Sequence, residues 1–422
     1  MNSVKNKNTG CTALIGGRLI DGTGEAPVEN STVLIKGTDI EAVGPREAVQ
    51  IPAEAEVIDV RDRTIMPGMT DMHVHLYWNG EPNLALHVYK ESAAFRSVKA
   101  VAWIQRSLEA GFTTLRSGAE KGYLDVALRD AVEAGVIWGA RVFATGYSIS
   151  GTGGHADLYP PWLYRTDEPA MIADGIAECI RAVRKQIKMN VDWIKFHASG
   201  GVMDPFSNPQ VQEYNDKEMK AIVNEAHGRG KLVFAHAQGA QGIRAAVKAG
   251  VDSIEHGMYL EDDVIEMMLK KGTYLTPTLA ALHRIIAAGE KGGIPPESVA
   301  KARVQGEAHV KSFQKAYETG IKICMGTDCG SPYNYHGDNA YELYLMVKYG
   351  MKEMDALVAC TKRAAEALRM DDKMGTLEKG KWADLMVVDG NPLEDIQVLV
   401  NKDNIKLVMK EGKVYLNRIP KG

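Results

Sequence analysis

Two rhythms of apolar and polar positions divide the chain. From about residue 13 to 60, short apolar runs alternate with glycine turns: Ala13-Leu14-Ile15 before Gly16-Gly17, Arg18-Leu19-Ile20 before Asp21-Gly22, and Ser31-Thr32-Val33-Leu34-Ile35 before Lys36-Gly37. Gly-Gly and Asp-Gly between such runs are hairpin signals, so this stretch predicts short β-strands. The same style returns near the other end, in Leu385-Met386-Val387-Val388 before Asp389-Gly390 and in Ile405-Lys406-Leu407-Val408-Met409. Between residues 64 and 370 the rhythm changes. Apolar runs of strand length alternate with segments of helical period over 98–110, 124–134, 171–188, 216–229 and 299–318, which predicts parallel βα units. Eight strands are expected, ending near His75, Arg116, Gly146, His197, His236, His256, Thr278 and Asp328.

The fold class expected is therefore α/β: a (β/α)8 TIM barrel over residues 64–370, with one small β-sandwich domain built from both chain termini, 1–63 and 371–422. Two independent β appendages are the alternative. A chain of 422 residues suits a large barrel plus a small domain. A net charge of −4 without any Lys/Arg block argues against a nucleic-acid partner. No apolar run approaches membrane-spanning length, and the polar start (Met1 to Lys7) is followed by no signal-type apolar region. A cytoplasmic protein with no membrane partner is expected. The five cysteines are scattered and odd in number, which fits reduced thiols; Cys329 follows a site residue and is a candidate target for thiol reagents.

The chemistry gathers at the expected strand ends, where a barrel carries its active site. His73 and His75 lie two apart, so on a strand they share a face and can hold one metal ion. Lys195 stands inside the apolar, aromatic run Val191-Asp192-Trp193-Ile194-Lys195-Phe196-His197. A buried ammonium is costly, so this lysine is paired, neutral or chemically modified, unless it snorkels to the rim. His236 and His256 each end a further strand, and Asp328 ends the last one. His197 shares the face of Lys195 and is a candidate substrate contact. The loop Gly151-Thr152-Gly153-Gly154-His155 contains a Gly-x-Gly, but Tyr159-Pro160-Pro161-Trp162 follows where a phosphate loop would open a helix. His155 is placed to hydrogen-bond a developing oxyanion; an ordinary loop histidine is the alternative reading.

Taken together, these residues resemble the amidohydrolase superfamily, in its binuclear-metal branch with a carboxylated lysine. The resemblance implies that His73, His75 and Asp328 hold an inner ion, His236 and His256 an outer one, and Lys195, N-carboxylated by CO2, bridges both. It implies two divalent metal ions, zinc first, with manganese, cobalt or iron also accommodated by such ligands. Two cations lower the pKa of a bridging water and polarise the substrate carbonyl, and Asp328 acts as general base and then acid. Gly153-Gly154-His155, Ser199-Gly200-Gly201, Gly326-Thr327-Asp328-Cys329-Gly330 and His336-Gly337-Asp338-Asn339 resemble prolidase-like dipeptidases, which remove a C-terminal amino acid.

The implied reaction is hydrolysis of an amide joining an acyl group to an amino acid, in a dipeptide, an N-acyl amino acid or a similar small molecule. Gln238 stands where that branch often has Tyr or His to hold a substrate carboxylate, so Gln238, Arg244, Arg116 and His336 are the candidate substrate contacts. Leu158, Tyr159, Trp162 and Leu163 are the candidate acyl pocket. A cyclic-amide hydrolase of the hydantoinase or dihydroorotase type is the alternative enzyme, because it shares the bridged two-metal site. A non-catalytic scaffold ranks lower, since such a relative is expected to lose ligands. The resemblance also implies a homo-oligomer.

Overall fold

Strand-forming runs at the N-terminus become β1 (Cys11–Ile15), β2 (Arg18–Leu19), β3 (Ser31–Lys36), β4 (Asp39–Pro45), β5 (Glu56–Asp59) and β6 (Arg63–Pro67). These coordinates are a computed structural model that describes residues 10–84, 90–160, 162 and 169–420. The start of the chain, read above for a leader, lies outside them, as do Leu163 and Pro161. One sheet has the order β4-β3-β1-β5. The other strands leave it: β6 pairs in register with a strand more than three hundred residues away, Met66 facing Met386 and Ile65 facing Val387. Main-chain hydrogen bonds thus join residues 63–67 to residues 385–389, and the sheet holding β6 also contains β2 and the three C-terminal strands. Leu14, Val33, Ile65, Leu385, Val387 and Leu407 form one buried cluster between the two sheets.

Gly68 separates β6 from β7 (Met69–Val74), and from there strands are parallel. β7 pairs with β8 (Phe112–Ser117) and β8 with β9 (Arg141–Phe143). Next come β10 (Ile149–Ser150), β11 (Met171–Ile172), β12 (Trp193–His197), β13 (Leu232–Ala237), β14 (Ser253–His256) and β15 (Tyr274–Thr276), in one parallel sheet of order β11-β10-β12-β13-β14-β15. Helices between them bury their apolar faces on the sheets, as in Asp216–His227, where Met219, Ile222, Val223 and Ala226 are inward. That helix opens on Asn215, whose side chain accepts from the N–H of Glu218 while the Glu218 carboxylate accepts from Asn215 N–H. The whole is an α/β fold of the TIM-barrel type.

Three expected strands differ in extent, each for a local reason. The third stops at Phe143, short of Gly146, because the buried Asp125 carboxylate takes the N–H groups of Thr145 and Gly146 that a ladder would use. The seventh stops at Thr276: Pro277 has no N–H, and Thr278 at φ +52° starts the helix Leu279–Ala288. The eighth, expected up to Asp328, is no regular strand. Residues 321–329 instead bond alternately to both neighbours, Cys324 N–H to Leu275 O at 2.8 Å and Asp328 N–H to His73 O at 2.7 Å. The segment 171–188 is divided too, because Met171 and Ile172 pair with β10 before the helix Gly175–Lys188 begins.

The C-terminal strands are β16 (Leu385–Asp389), β17 (Ile405–Lys410) and β18 (Lys413–Asn417). Arg141, on β9, reaches across to them. Its guanidinium pairs with Asp384 at 2.8 Å and Glu411 at 2.7 Å and lies 4.4 Å above the Trp382 ring. Removing the cation would leave the nearly buried Asp384 charge alone. Arg141→Met is expected to cost about 3 kcal/mol, read as a lowered unfolding midpoint; an unchanged midpoint would show that the pair contributes nothing net.

Candidate active site

The C-terminal end of β7 delivers His73 and, one residue past the strand, His75, with ring centroids 5.4 Å apart. Their approach to the end of β8 requires Gly118, since a Cβ there would lie 2.8 Å from the His73 ring and 2.9 Å from that of His75. Asp328 Oδ1 lies 3.2 Å from His75 Nε2 and 3.6 Å from His73 Nε2. The outer nitrogens are committed: His73 Nδ1 to Glu255 Oε2 at 2.6 Å and His75 Nδ1 to the Ala119 carbonyl at 3.2 Å. Such bonds fix the tautomer and leave the Nε2 lone pairs facing inward. Asp328 sits at φ +58°, a conformation that non-glycine residues adopt at a cost. Burial pushes its carboxyl up, but the close approach of His75 and the nearby histidines outweighs that and holds it well below the ordinary carboxylate range.

His256, at φ +71°, donates from Nδ1 to Thr278 Oγ1 at 2.7 Å, and the Thr278 hydroxyl passes its own proton to Pro277 O. His236 donates from Nε2 to Gly200 O at 3.2 Å, leaving Nδ1 free. Burial lowers the pKa of His256 to about 3 and takes those of His73 and His236 well below the ordinary value, so these imidazoles are neutral at pH 7. Lys195 Nζ lies 3.4 Å from His73 Nε2 and 5.0 Å from the Phe234 ring centroid. Burial lowers its pKa to about 8, against the pull of Glu255 and Asp328. Neutral imidazoles, an ionised carboxylate and a lysine that can shed its proton are a donor set suited to divalent cations. The ligand atoms of His73, His75 and Asp328 already lie within 4.8 Å of one another.

His155 faces this group from the loop after β10. Its Nδ1 bonds Asp204 Oδ2 at 2.6 Å, and its backbone N–H donates to Glu213. Burial raises the Asp204 pKa, but bonds from His155 and Ser207 reverse this and bring it to about 2. A Cβ at Gly201 would strike the His155 ring, so the loop 201–207 must be glycine at that point. Lys301 holds the loop by donating to the carbonyls of Gly201, Asp204 and Ser207 at 3.2, 2.7 and 2.6 Å.

One cavity of about 320 Å³ is lined by His73, His75, Lys195, His236, His256 and Asp328. His155, His197, Gln238 and Leu158 line it as well. Three candidate substrate contacts do not. Arg116 is fully buried beneath the site, ion-paired with Glu255 at 2.8 Å and donating from Nε to Met72 O. Arg244 points outward to Glu261 and Asp263. His336 lies behind the His75 backbone, donating from Nε2 toward the carbonyls of His75 and Trp78. A lone charge finds a partner before it finds a substrate, and sequence position does not say which. Trp162 is 84% exposed and does not line the cavity. Cys329 is fully buried, and burial drives its thiol pKa well up, both of which disfavour reaction with thiol reagents in the folded protein.

The Amidohydrolase family profile matches residues 64–415. The chain belongs to the amidohydrolase family. It is 32% identical over 431 aligned residues to the ochratoxinase of Aspergillus niger, covering 96% of this chain and 86% of that one. A crystal structure of a Xaa-Pro dipeptidase with methionine in its active site superposes at a TM-score of 0.89 with 35% identity, covering 96% of this chain and 100% of that one. A prolidase complexed with N-methylphosphonate-L-proline does so at 0.89 with 31% identity, with the same coverage. This amidohydrolase is a hydrolase acting on amide bonds.

Four residues that sequence reading passed over position the amidohydrolase site: Glu255, Asp71, Asp204 and Thr278. Asp71 accepts from the N–H of His73, the N–H and hydroxyl of Thr327, and Asn339 Nδ2, so it ties β7 to the turn carrying Asp328. A carboxylate inside an apolar strand, as in Ser253-Ile254-Glu255-His256, is a readable signal for Glu255 and Asp71. Asp204 has none, lying 49 residues from its histidine. Glu255→Gln is expected to weaken divalent-metal binding roughly 10- to 100-fold, measured by metal titration of the apoprotein; undiminished affinity would remove Glu255 as the group that orients His73.

Proposed function

We propose that this protein hydrolyses an amide joining an acyl group to a C-terminal amino acid, in a dipeptide, an N-acyl amino acid or a similar small amide. The observation that carries the reading is the convergence of His73, His75, Lys195, His236, His256 and Asp328 on one cavity that His155 also faces. Similarity to a Xaa-Pro dipeptidase, a prolidase and an ochratoxinase supports it. The fold reading that goes with it is an eight-position closed barrel, with residues 321–329 as the eighth position. A two-sheet sandwich from both termini joins it at Gly68 and near residue 370.

His73, His75 and Asp328 would hold one divalent ion, His236 and His256 a second, and N-carboxylated Lys195 both, with zinc the first choice. Bound there, such ions supply a lowered water pKa and a polarised substrate carbonyl. Asp328, kept ionised, takes the proton from the attacking water at its free oxygen and returns it to the leaving nitrogen. His155, ion-paired through Nδ1 to Asp204, turns Nε2 toward the oxygen on which charge develops, and donates there when it carries its second proton. Val202, Met258, Leu282 and Ile285 form an apolar wall that takes the side chain or acyl group and excludes water.

The deciding experiment is a hydrolysis panel of N-acyl amino acids and dipeptides, with hydantoin and dihydroorotate included, on protein of counted metal content. Release of a free C-terminal amino acid is expected; ring opening of the cyclic compounds alone would replace this reading. Asp328→Asn is expected to leave the fold and lower turnover about a thousandfold, and near-normal turnover would take the proton-transfer role from it. Lys195→Ala is expected to lose metal and activity together, with partial recovery in short carboxylic acids. Only the neutral amine adds CO2, so a lysine of pKa about 8 should be carboxylated faster as pH rises. Reactivation of the apoprotein at fixed dissolved CO2 should start roughly fiftyfold faster at pH 8 than at pH 6, and a pH-independent rate would count against the carbamate.

A further inference from the structure

The helix Pro296–Glu318 packs Val299 and Ala302 against the apolar wall of the cavity, yet it turns polar residues inward as well. Lys301, Gln305, His309 and Ser312 recur every three or four positions and so share one face. Three of them end on main-chain atoms of the loops around the site. Lys301 holds the loop 201–207, and Ser312 donates to Met258 O and accepts from the N–H of Leu260, each at 2.9 Å, just past His256. His309 is the third, and its bond leads to a strand-end histidine.

His309 is 2% exposed, and burial lowers its pKa to about 4, so at pH 7 the ring is neutral and its one N–H, on Nε2, donates to Pro277 O at 2.7 Å. That carbonyl also takes the Thr278 hydroxyl at 2.7 Å, and Thr278 Oγ1 in turn accepts from His256 Nδ1 at 2.7 Å. Two donors fill the two acceptor positions of Pro277 O, and a hydroxyl whose proton is directed there can only accept from His256. His256 is thereby kept in the tautomer whose Nε2 lone pair faces the cavity. Thr278 needs support to do this. A β-branched residue at φ +52° is strained and persists only where its surroundings fix it. The buried Glu342 carboxylate takes the N–H groups of Leu279 and Ala280 at 2.8 and 2.7 Å, so the turn is fixed at its N–H groups by Glu342 and at its carbonyl by His309.

Resting on the reading of His256 as a metal ligand, the geometry points to His309 as a positioning residue that acts through Pro277 O and Thr278 to set the affinity of the ion held by His236 and His256. His309 lines no part of the catalytic cavity and touches neither ion nor substrate. Without its N–H the carbonyl is free to turn, and the Thr278 hydroxyl loses a fixed acceptor. Its proton can then point to His256 Nδ1, which moves the imidazole proton to Nε2 and blocks the lone pair that a cation needs. The pair His73 and His75, with Asp328, has its own supports in Glu255, Ala119 O and Asp71, outside this chain of bonds.

The test is calorimetric titration of the metal-free protein with zinc, with zinc-dependent activity measured beside it. The proteins are the wild type, His309→Leu, the donor-retaining His309→Gln, Thr278→Val, the His309→Leu/Thr278→Val double variant, and Phe313→Leu, which loosens the same helix by packing alone. His309→Leu should weaken one of two ions about tenfold and leave the other within about twofold. Zinc at half-maximal activity should rise by the same factor while turnover at saturating zinc is kept. His309→Gln should recover most of the affinity, the double variant should lose less than the two single losses combined, and Phe313→Leu should lose stability but no zinc affinity. Unaltered zinc affinity in His309→Leu would overturn the proposal, as would an equal loss in Phe313→Leu, an additive double variant, or both ions weakened alike. A wild type that binds no divalent ion would remove the metal reading and this proposal together; one that binds two ions but cleaves no amide would remove the amidase reading alone, and the titration would still decide. Should His309→Leu fail to fold, His309→Asn, whose shorter amide stops short of Pro277 O, makes the same comparison with His309→Gln.

Discussion

A single buried carboxylate holds the interior of this barrel together. Glu255 accepts from Ser253 Oγ at 2.6 Å, ion-pairs with Arg116 at 2.8 Å and takes His73 Nδ1 at 2.6 Å, so one side chain joins β14, β8 and β7 beneath the cavity. Neither Glu255 nor Arg116 has any exposure, and a buried charge without its partner is strongly destabilising. Arg116 lies between the rings of Phe234 and Trp193, at 4.1 and 4.8 Å, which spreads the constraint to β13 and β12. Ring orientation at His73 is set by this buried pair, and burial in the same layer lowers the pKa of Lys195.

Above that layer the site is tied to the strands by outward bonds. Each strand-end histidine spends its outer nitrogen on a fixed acceptor, His73 on Glu255, His75 on Ala119 O, His236 on Gly200 O and His256 on Thr278. Their inner nitrogens are thereby preorganised toward one space, and burial keeps His73, His236 and His256 neutral. His197 is the exception, with no outward bond at all. The contrast separates residues that the protein itself has already oriented from one that it leaves without a hydrogen bond.

Part of the backbone irregularity falls at the site. His256 and Asp328, which line the cavity, and Thr278, which bonds His256, all have positive φ. Residues 321–329 give up regular pairing, and the Gly326-Thr327-Asp328 turn reaches His73 and His75, held there by Asp71. Propensity could not foretell this, because the run Ile321-Lys322-Ile323-Cys324-Met325 has the composition of an ordinary strand.

Sequence by itself determined the alternation of strands and helices, the β style shared by both termini, and the candidate ligands on or near the expected strand ends: His73, His75, Lys195, His236, His256 and Asp328. These are legible because period-2 and period-3.6 patterns are local, and because a lysine or histidine in an apolar run is conspicuous. Tertiary structure alone decided which charges face the cavity. Arg116, Arg244 and His336 looked equally available for substrate, yet Glu255, the Glu261 and Asp263 carboxylates, and backbone carbonyls claimed them. Asp204 became the partner of His155, and His197 kept none. Local pattern fixes where a side chain starts, whereas its partner is set by contacts between strands and loops far apart in the chain, where burial makes an unpaired polar group costly.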